Sequence, residues 1–222
     1  MIVAKKEITT IVDCYTQNQH LFQLFQEAVV NTLRLSPELN KHPHPVIHSI
    51  KTRLKDPSHL AEKIQRKAKD GHPITVSNLF DKVTDLAGVR ILHLHQSQAK
   101  DVHDFIAQQV RNKDWHLHEK PVAYSWDPDA TEFFKTLGLK VEIKSSHYTS
   151  IHYVIRPKKG TNVACEIQVR TLFEEIWGEV DHAVNYPTST KNIATKEQLR
   201  VLSKLVSTGT RLVDSIFKLN EK

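Results

Sequence analysis

Cysteine and glycine are scarce in this 222-residue chain, and each shortage closes off a class of chemistry. Two cysteines, Cys14 and Cys165, lie far apart, which argues against a disulfide framework and against a zinc site built on thiols alone. Six glycines leave little room for glycine-rich phosphate cradles, and neither a Walker loop nor a Rossmann fingerprint occurs. No apolar run approaches the length of a membrane span. The opening residues Met1-Ile2-Val3-Ala4-Lys5-Lys6-Glu7 become charged at once and lack the apolar core of a secretory signal. A cytoplasmic protein without a membrane partner is expected. Internal repeats and low-complexity tracts are also missing.

What is present is ordinary for a globular protein: 39% hydrophobic and 25% charged residues. The length suits one large core or two small lobes. A net charge of +6, with fourteen further histidines, favours anionic partners: nucleotides, nucleic acid or acidic protein surfaces. Three His-x-His pairs (His42/His44, His93/His95, His116/His118) could each place two rings on one strand face. Without a third ligand at an evident spacing they argue weakly for zinc.

Apolar residues at Ile11, Tyr15, Phe22, Phe25, Val29 and Leu33 predict a helix from about Ile8 to Leu35. Lys41-His42-Pro43-His44-Pro45 cannot be helix interior and reads as a connector. Val46 to Lys55 alternates as a strand, with Ile47, Ser49, Lys51, Arg53 and Lys55 on one face. Asp56-Pro57-Ser58 opens a helix, with Ser58 as the predicted cap. Further strands are predicted at Val89–His95, Leu139–Ile143, Ser150–Arg156 and Val163–Arg170, and helices at Asp101–Val110, Thr171–Val184 and Thr195–Leu219. Strands and helices mixed without βαβ repetition predict an α+β fold around one mixed sheet. The last helix carries two apolar seams, Leu199/Leu202/Val206/Val213/Ile216 and Val201/Leu205/Leu212. Both can be buried within the chain, or one can meet a partner subunit.

Cys165-Glu166-Ile167-Gln168-Val169-Arg170-Thr171 is the most informative segment. In a strand, Cys165, Ile167 and Val169 face the core, while Glu166, Gln168 and Arg170 share the other face. That face fits the floor of a site or an ordinary solvent face equally well. On the following helix Glu175, Glu179, His182 and Tyr186 share one face and Leu172, Ile176, Val180 and Ala183 another, so a solvated charged face is expected. Arg53, Lys55, Lys63, Arg66 and Lys67 form a basic cluster that can hold polyphosphate or simply face water. Asp85 stands just before an apolar strand that contains Arg90. It suits Mg²⁺, which takes one or two protein oxygens, or it can cap a turn. Tyr148 can stack on a base or join the core, and Ser150 and His152 share a strand face.

In order, Ser49-x-Lys51-x-Arg53-x-Lys55…Lys63, Asp85-Leu-Ala-Gly-Val-Arg90, Tyr148-Thr-Ser150-Ile-His152, Glu166-Ile-Gln168-Val-Arg170-Thr171 and Trp177…Asp181-His182…Tyr186 resemble the synthetase domain of RelA/SpoT-type alarmone synthetases. The resemblance runs from about residue 46 to 187. It implies a nucleotidyltransferase-like mixed sheet flanked by helices, in one synthetase domain without hydrolase or regulatory parts. Residues 1–45 would be an N-terminal helical segment, 46–187 the catalytic core and 191–222 a C-terminal helix. It further implies Mg²⁺-dependent transfer of the β,γ-diphosphate of ATP to the 3′-hydroxyl of GDP or GTP. By similarity Arg53, Lys55, Lys63 and Arg90 hold ATP, and Arg53 can also cover the adenine face. Asp85 binds Mg²⁺, and Glu166 assists at the metal or takes the hydroxyl proton. Tyr148 stacks on the acceptor base, with Lys144, His152, Gln168 and Arg170 lining the acceptor side. The family also has members that act on adenine nucleotides or the 3′ end of tRNA, and small members that form dimers or tetramers.

Three positions depart from the family pattern. His147 replaces the glycine before the tyrosine, His59 replaces a serine, and Lys144-Ser145-Ser146 replaces a Pro-Lys element. A residue with φ > 0 at His147 would be strained, so a reshaped acceptor loop is expected. The departures also admit a catalytically silent nucleotide- or RNA-binding module.

Overall fold

A computed structural model describes residues 4–186 and 189–220. The outermost parts of the expected segments, at 1–3, 187 and 221–222, lie outside the described residues. In chain order the elements are α1 (Lys5–Leu35), β1 (Ser49–Leu54), α2 (Pro57–Lys69), α3 (Leu79–Lys82), β2 (Ala87–His93), α4 (Gln98–Arg111), β3 (His116–Leu117), β4 (Val122–Tyr124), α5 (Pro128–Thr136), β5 (Lys140–Glu142), β6 (Ser150–Arg156), β7 (Cys165–Thr171), α6 (Leu172–Asn185) and α7 (Ile193–Asn220). The strands form one mixed sheet in the order β1-β2-β7-β6-β4-β5, with β3 beside β6. Strands β2 and β7 run parallel, and β1 and β6 flank them antiparallel. The fold is α+β, with helices flanking the sheet.

Helix α1 buries Ile8, Ile11, Tyr15, Phe22, Val29, Val30 and Leu33 along one stripe, as the periodicity predicts. Two polar side chains in that stripe tie the helix to the sheet edge. Gln26 Nε2 donates to the carbonyls of Arg53 and Gly88, both at 2.8 Å. Tyr15 Oη donates to the carbonyl of Lys55 at 2.9 Å. Buried donors must find acceptors, so these bonds fix the position of β1 against β2. The strand starts at Ser49 rather than Val46, because the amides of Val46 and Ile47 donate to Leu39 and turn that stretch back toward the end of α1.

The cap of α2 is Asp56 and not Ser58. The Asp56 carboxylate accepts from the amides of Ser58 and His59, and Pro57 occupies the first helical position, where a missing N–H costs nothing. Strand β2 stops at His93 because the amides of Leu94 and His95 donate to Gln98 Oε1 instead of continuing the ladder. Segments 116–124 and 128–136 add β3, β4 and α5, which no pattern in the sequence announced.

Cys165, Ile167 and Val169 of β7 point into the core beside Val89, Ile91, Ile151, Tyr153 and Ile155. The opposite sheet face carries Glu166, Gln168 and Arg170 and is covered by α6. A reciprocal capping box starts that helix: Glu174 N donates to Thr171 Oγ1, and Thr171 N donates to Glu174 Oε2 at 2.6 Å. Contrary to the amphipathic reading, α6 turns its acidic face inward. Ile176 and Val180 are left 54% and 39% exposed, while Glu175 is only 5% exposed. The cause is nonlocal, since cations on β1, β2 and β7 meet the carboxylates.

Helix α7 crosses α6 closely at Gly209, where an added Cβ would lie 2.8 Å from the Phe173 ring. Trp177 Nε1 donates to the carbonyl of Leu199 across the same interface. Of the two seams on α7, Leu199 and Val206 are buried, whereas Val201, Leu205 and Leu212 are exposed, as is Ile216 from the first seam.

Candidate active site

Alternation along four neighbouring strands aims the polar side chains at one sheet face, and the register sets them in rows. One row pairs Arg53 of β1 with Gly88 of β2 and Glu166 of β7. The next pairs Lys51, Arg90, Gln168 and His152. Over these rows lies a cavity of about 500 Å³, walled by Trp177, Gly178, Glu179 and His182 of α6 and by Tyr186 just beyond it.

At the β1 end, Asp85 is surrounded by cations. Its carboxylate accepts from Lys63 Nζ at 2.7 Å and Lys55 Nζ at 2.9 Å, with Arg53 Nη2 at 3.9 Å. Burial opposes ionisation of Asp85, but Lys63 and then Lys55 outweigh it and hold the carboxyl well below the usual range. Helix α2 brings Lys63 to that position, and the α1 clamp on β1 brings Lys55.

Glu166 lies in the middle of the floor. It accepts from His152 Nδ1 at 3.1 Å and from Gln168 Nε2 at 2.8 Å. Burial pushes its pKa up, yet the His152 contact overrides this and leaves it lowered. Asp85 is near enough to oppose that lowering. Two ionised carboxylates from adjacent strand regions, close enough to repel each other, fit in kind what Mg²⁺ takes from a protein.

At the β6 end Tyr148 is half-buried among polar groups. Its hydroxyl contacts His152 Nε2 at 2.9 Å and accepts from Arg170 Nη2 at 2.8 Å. Lys144 Nζ lies 4.8 Å from the Tyr148 ring centroid and 3.7 Å from that of Tyr124. Such cation–π contacts partly replace lost hydration. Burial still lowers the Lys144 pKa. His147 adopts φ 62°, with its ring 5.3 Å from Trp126. His147 thus takes a left-handed conformation at the position where the family pattern has glycine.

The eleven residues given site roles by the family resemblance converge here, whereas Arg66 and Lys67 of the basic cluster do not line the cavity. Arg53, Arg90, Tyr148, Glu166, Gln168 and Arg170 line the cavity; Lys55, Lys63 and Asp85 adjoin it through Arg53, and Lys144 and His152 through Tyr148. Sequence reasoning missed Glu175 and Glu179. Glu175 Oε1 accepts from Lys51 Nζ at 2.8 Å and Arg90 Nη1 at 2.7 Å, and its Oε2 lies 3.3 Å from Arg170 Nη1. Their position on the His182/Tyr186 face of α6 was the available signal. The His93/His95 pair serves packing: His93, the last residue of β2, is buried with Nδ1 on the carbonyl of His95, and the His95 ring stacks on Phe217 of α7 at 4.4 Å.

Comparisons with known proteins fit this geometry. The family described as "Region found in RelA / SpoT proteins" matches residues 52–191. The chain is 27% identical over 158 residues to the GTP pyrophosphokinase YwaC of Bacillus subtilis (strain 168), a match that covers 68% of this chain. It spans just under two thirds of that relative's own length, 65%. The small alarmone synthetase 1 from Bacillus subtilis bound to its product pppGpp is similar in structure, with a TM-score of 0.67 at 20% identity, over 94% of this chain and 96% of that one. The same synthetase bound to AMPCPP gives a TM-score of 0.63 at 20% identity, over 93% and 100% of the two chains. At these identities the structural likeness speaks for the fold. More than half of the sequence falls within the family match, and on that ground the chain belongs to the RelA/SpoT family.

Proposed function

We propose that the chain acts as one synthetase domain, a pyrophosphotransferase that moves the β,γ-diphosphate of ATP to the 3′-hydroxyl of GDP or GTP. The observation that carries this reading is the division of one sheet face into two halves about Glu166. One half is cationic around Asp85, and the other is aromatic and cationic around Tyr148.

In this reading Arg53, Lys55, Lys63 and Arg90 bind the triphosphate, and Tyr148 with Lys144 receives the acceptor base. Attack by the 3′-oxygen forms a bond to the β-phosphorus. The bond from that phosphorus to the α,β-bridging oxygen breaks, and AMP leaves. Fixed cations stabilise the negative charge that spreads over the transferred group. Glu166, kept ionised by His152, accepts the hydroxyl proton. Asp85, with Glu166 beside it, would hold the magnesium ion that neutralises β- and γ-phosphate oxygens.

Glu166→Gln and Asp85→Asn are each expected to lower turnover by about a hundredfold or more with the circular dichroism unchanged. Near-normal turnover in either variant would overturn its assigned role. The substrate assignment is tested with γ-labelled ATP and Mg²⁺, offering GDP, GTP, ADP and deacylated tRNA in parallel. Label in a guanosine product supports the reading. The net charge of +6 suits RNA as well, and label in tRNA alone would move the activity to that acceptor. Label in no acceptor, with ATP still bound, would leave a binding module.

A further inference from the structure

Two carboxylates of α6 occupy cations that face the cavity. Arg90 Nη1 donates to Glu175 Oε1 at 2.7 Å and to Glu179 Oε1 at 2.9 Å. Lys51 Nζ bonds Glu175 at 2.8 Å and stands 3.7 Å from Glu179. The two acids differ in freedom. Glu175 is buried and also meets Arg170, so leaving its place would strand three cations. The side chain of Glu179 is 56% exposed, and among the described residues its ion pairs are with Arg90 and Lys51. It can swing into water at the small cost of an exposed ion pair.

Lys51 sits opposite Arg90 in the register and two residues from Arg53, on the same strand face. When Glu179 leaves, Lys51 and Arg90 share the one carboxylate of Glu175, and their remaining N–H donors are open to the cavity beside the cations around Asp85. We propose that Lys51 is a further phosphate-binding residue, and that Glu179 is an internal competitor that holds Lys51 and Arg90 until a nucleotide polyphosphate displaces it. Glu175 remains as the fixed anchor that keeps both cations aimed at the cavity. This rests on the donor half of the site being a triphosphate site. It adds that the site is self-neutralised when empty, and that its affinity is set partly by an acid on α6.

The test is titration of the purified full chain with AMPCPP and Mg²⁺ by calorimetry. Three variants are compared with the parent: Glu179→Gln, Lys51→Met, and Glu197→Gln as a charge control on α7, where Glu197 lies near Arg200. Glu179→Gln is expected to bind about two- to fivefold more tightly, the factor equivalent to one exposed ion pair. Lys51→Met should bind several-fold more weakly, and Glu197→Gln should match the parent. Unchanged or weaker binding by Glu179→Gln overturns the competitor role, as does equal tightening by Glu197→Gln, which would mark a general charge effect. Unchanged binding by Lys51→Met overturns the phosphate role. If the folded parent and all variants fail to bind AMPCPP, the donor-site reading falls with the inference. Binding that is indifferent to Glu179 sinks the inference alone.

Discussion

Gly178 has no side chain at the point where α6 passes over Arg170. An added Cβ would lie 2.6 Å from Arg170 Nη1. That guanidinium is buried and holds Tyr148, Gln168 and Glu175 together, so it has no free direction in which to retreat. Gly178→Ala should gain helix propensity, about 1 kcal/mol, and lose site geometry. The melting temperature is expected to stay within a few degrees of the parent. KM for the acceptor should rise about tenfold, since Arg170 and Tyr148 move together. Thermal melts beside steady-state kinetics check both halves, and an unchanged KM would show that Arg170 is not held in register by this contact.

At the scale of elements, the clamp between α1 and the sheet edge positions the half of the site around Asp85. Gln26→Leu keeps the volume and deletes two hydrogen bonds to β1 and β2. A loss of about 1–3 kcal/mol in urea unfolding is expected, together with weaker AMPCPP binding. Such a clamp explains which parts of the fold could be read in advance. Strands β1 and β7 announce themselves because apolar and polar side chains alternate along them, and β2 and β6 because each carries a run of apolar residues. Strands β3 and β4 span two and three residues, too few for any period to show. The inward acidic face of α6 was misread for another reason. An amphipathic helix shows that it has two faces, but not which one meets the protein. That choice was made by Lys51, Arg90 and Arg170, which lie on three separate strands and come together only in the sheet. The site residues on β7 were legible because a single strand carries three of them.

For the whole molecule, half-buried Glu174 and buried His93 set opposing responses to pH. Burial raises the Glu174 pKa from 4.5 to about 7. The stability this adds is fully present below the unfolded value and is lost as pH rises through 7. Burial lowers the His93 pKa from 6.5 to about 4, so its contribution is present above 6.5 and lost as pH falls through 4. Between these limits the two slopes oppose each other and flatten the profile. Glu174→Gln keeps an acceptor for the Thr171 amide and removes the titrating charge. The variant is expected to match the parent near pH 4.5 and to exceed it by about 1–3 kcal/mol at pH 8 in denaturant unfolding. Its stability should then climb steadily between pH 4 and 6.5, with the His93 response unmasked. A gain that is equal at both pH values would mean that Glu174 does not titrate in the fold.

The α1 clamp also separates two kinds of boundary. The stretch shared with the family begins at residue 52, inside β1, yet the side-chain bonds that tie this strand's end to α1 come from Tyr15 and Gln26. The family stretch that holds the proposed site residues and the contacts that seat them therefore start at different places in the chain. The first helix contributes none of the eleven proposed site residues, but the donor half depends on it. Variation in α1 can alter the half of the site around Asp85 without touching a proposed site residue.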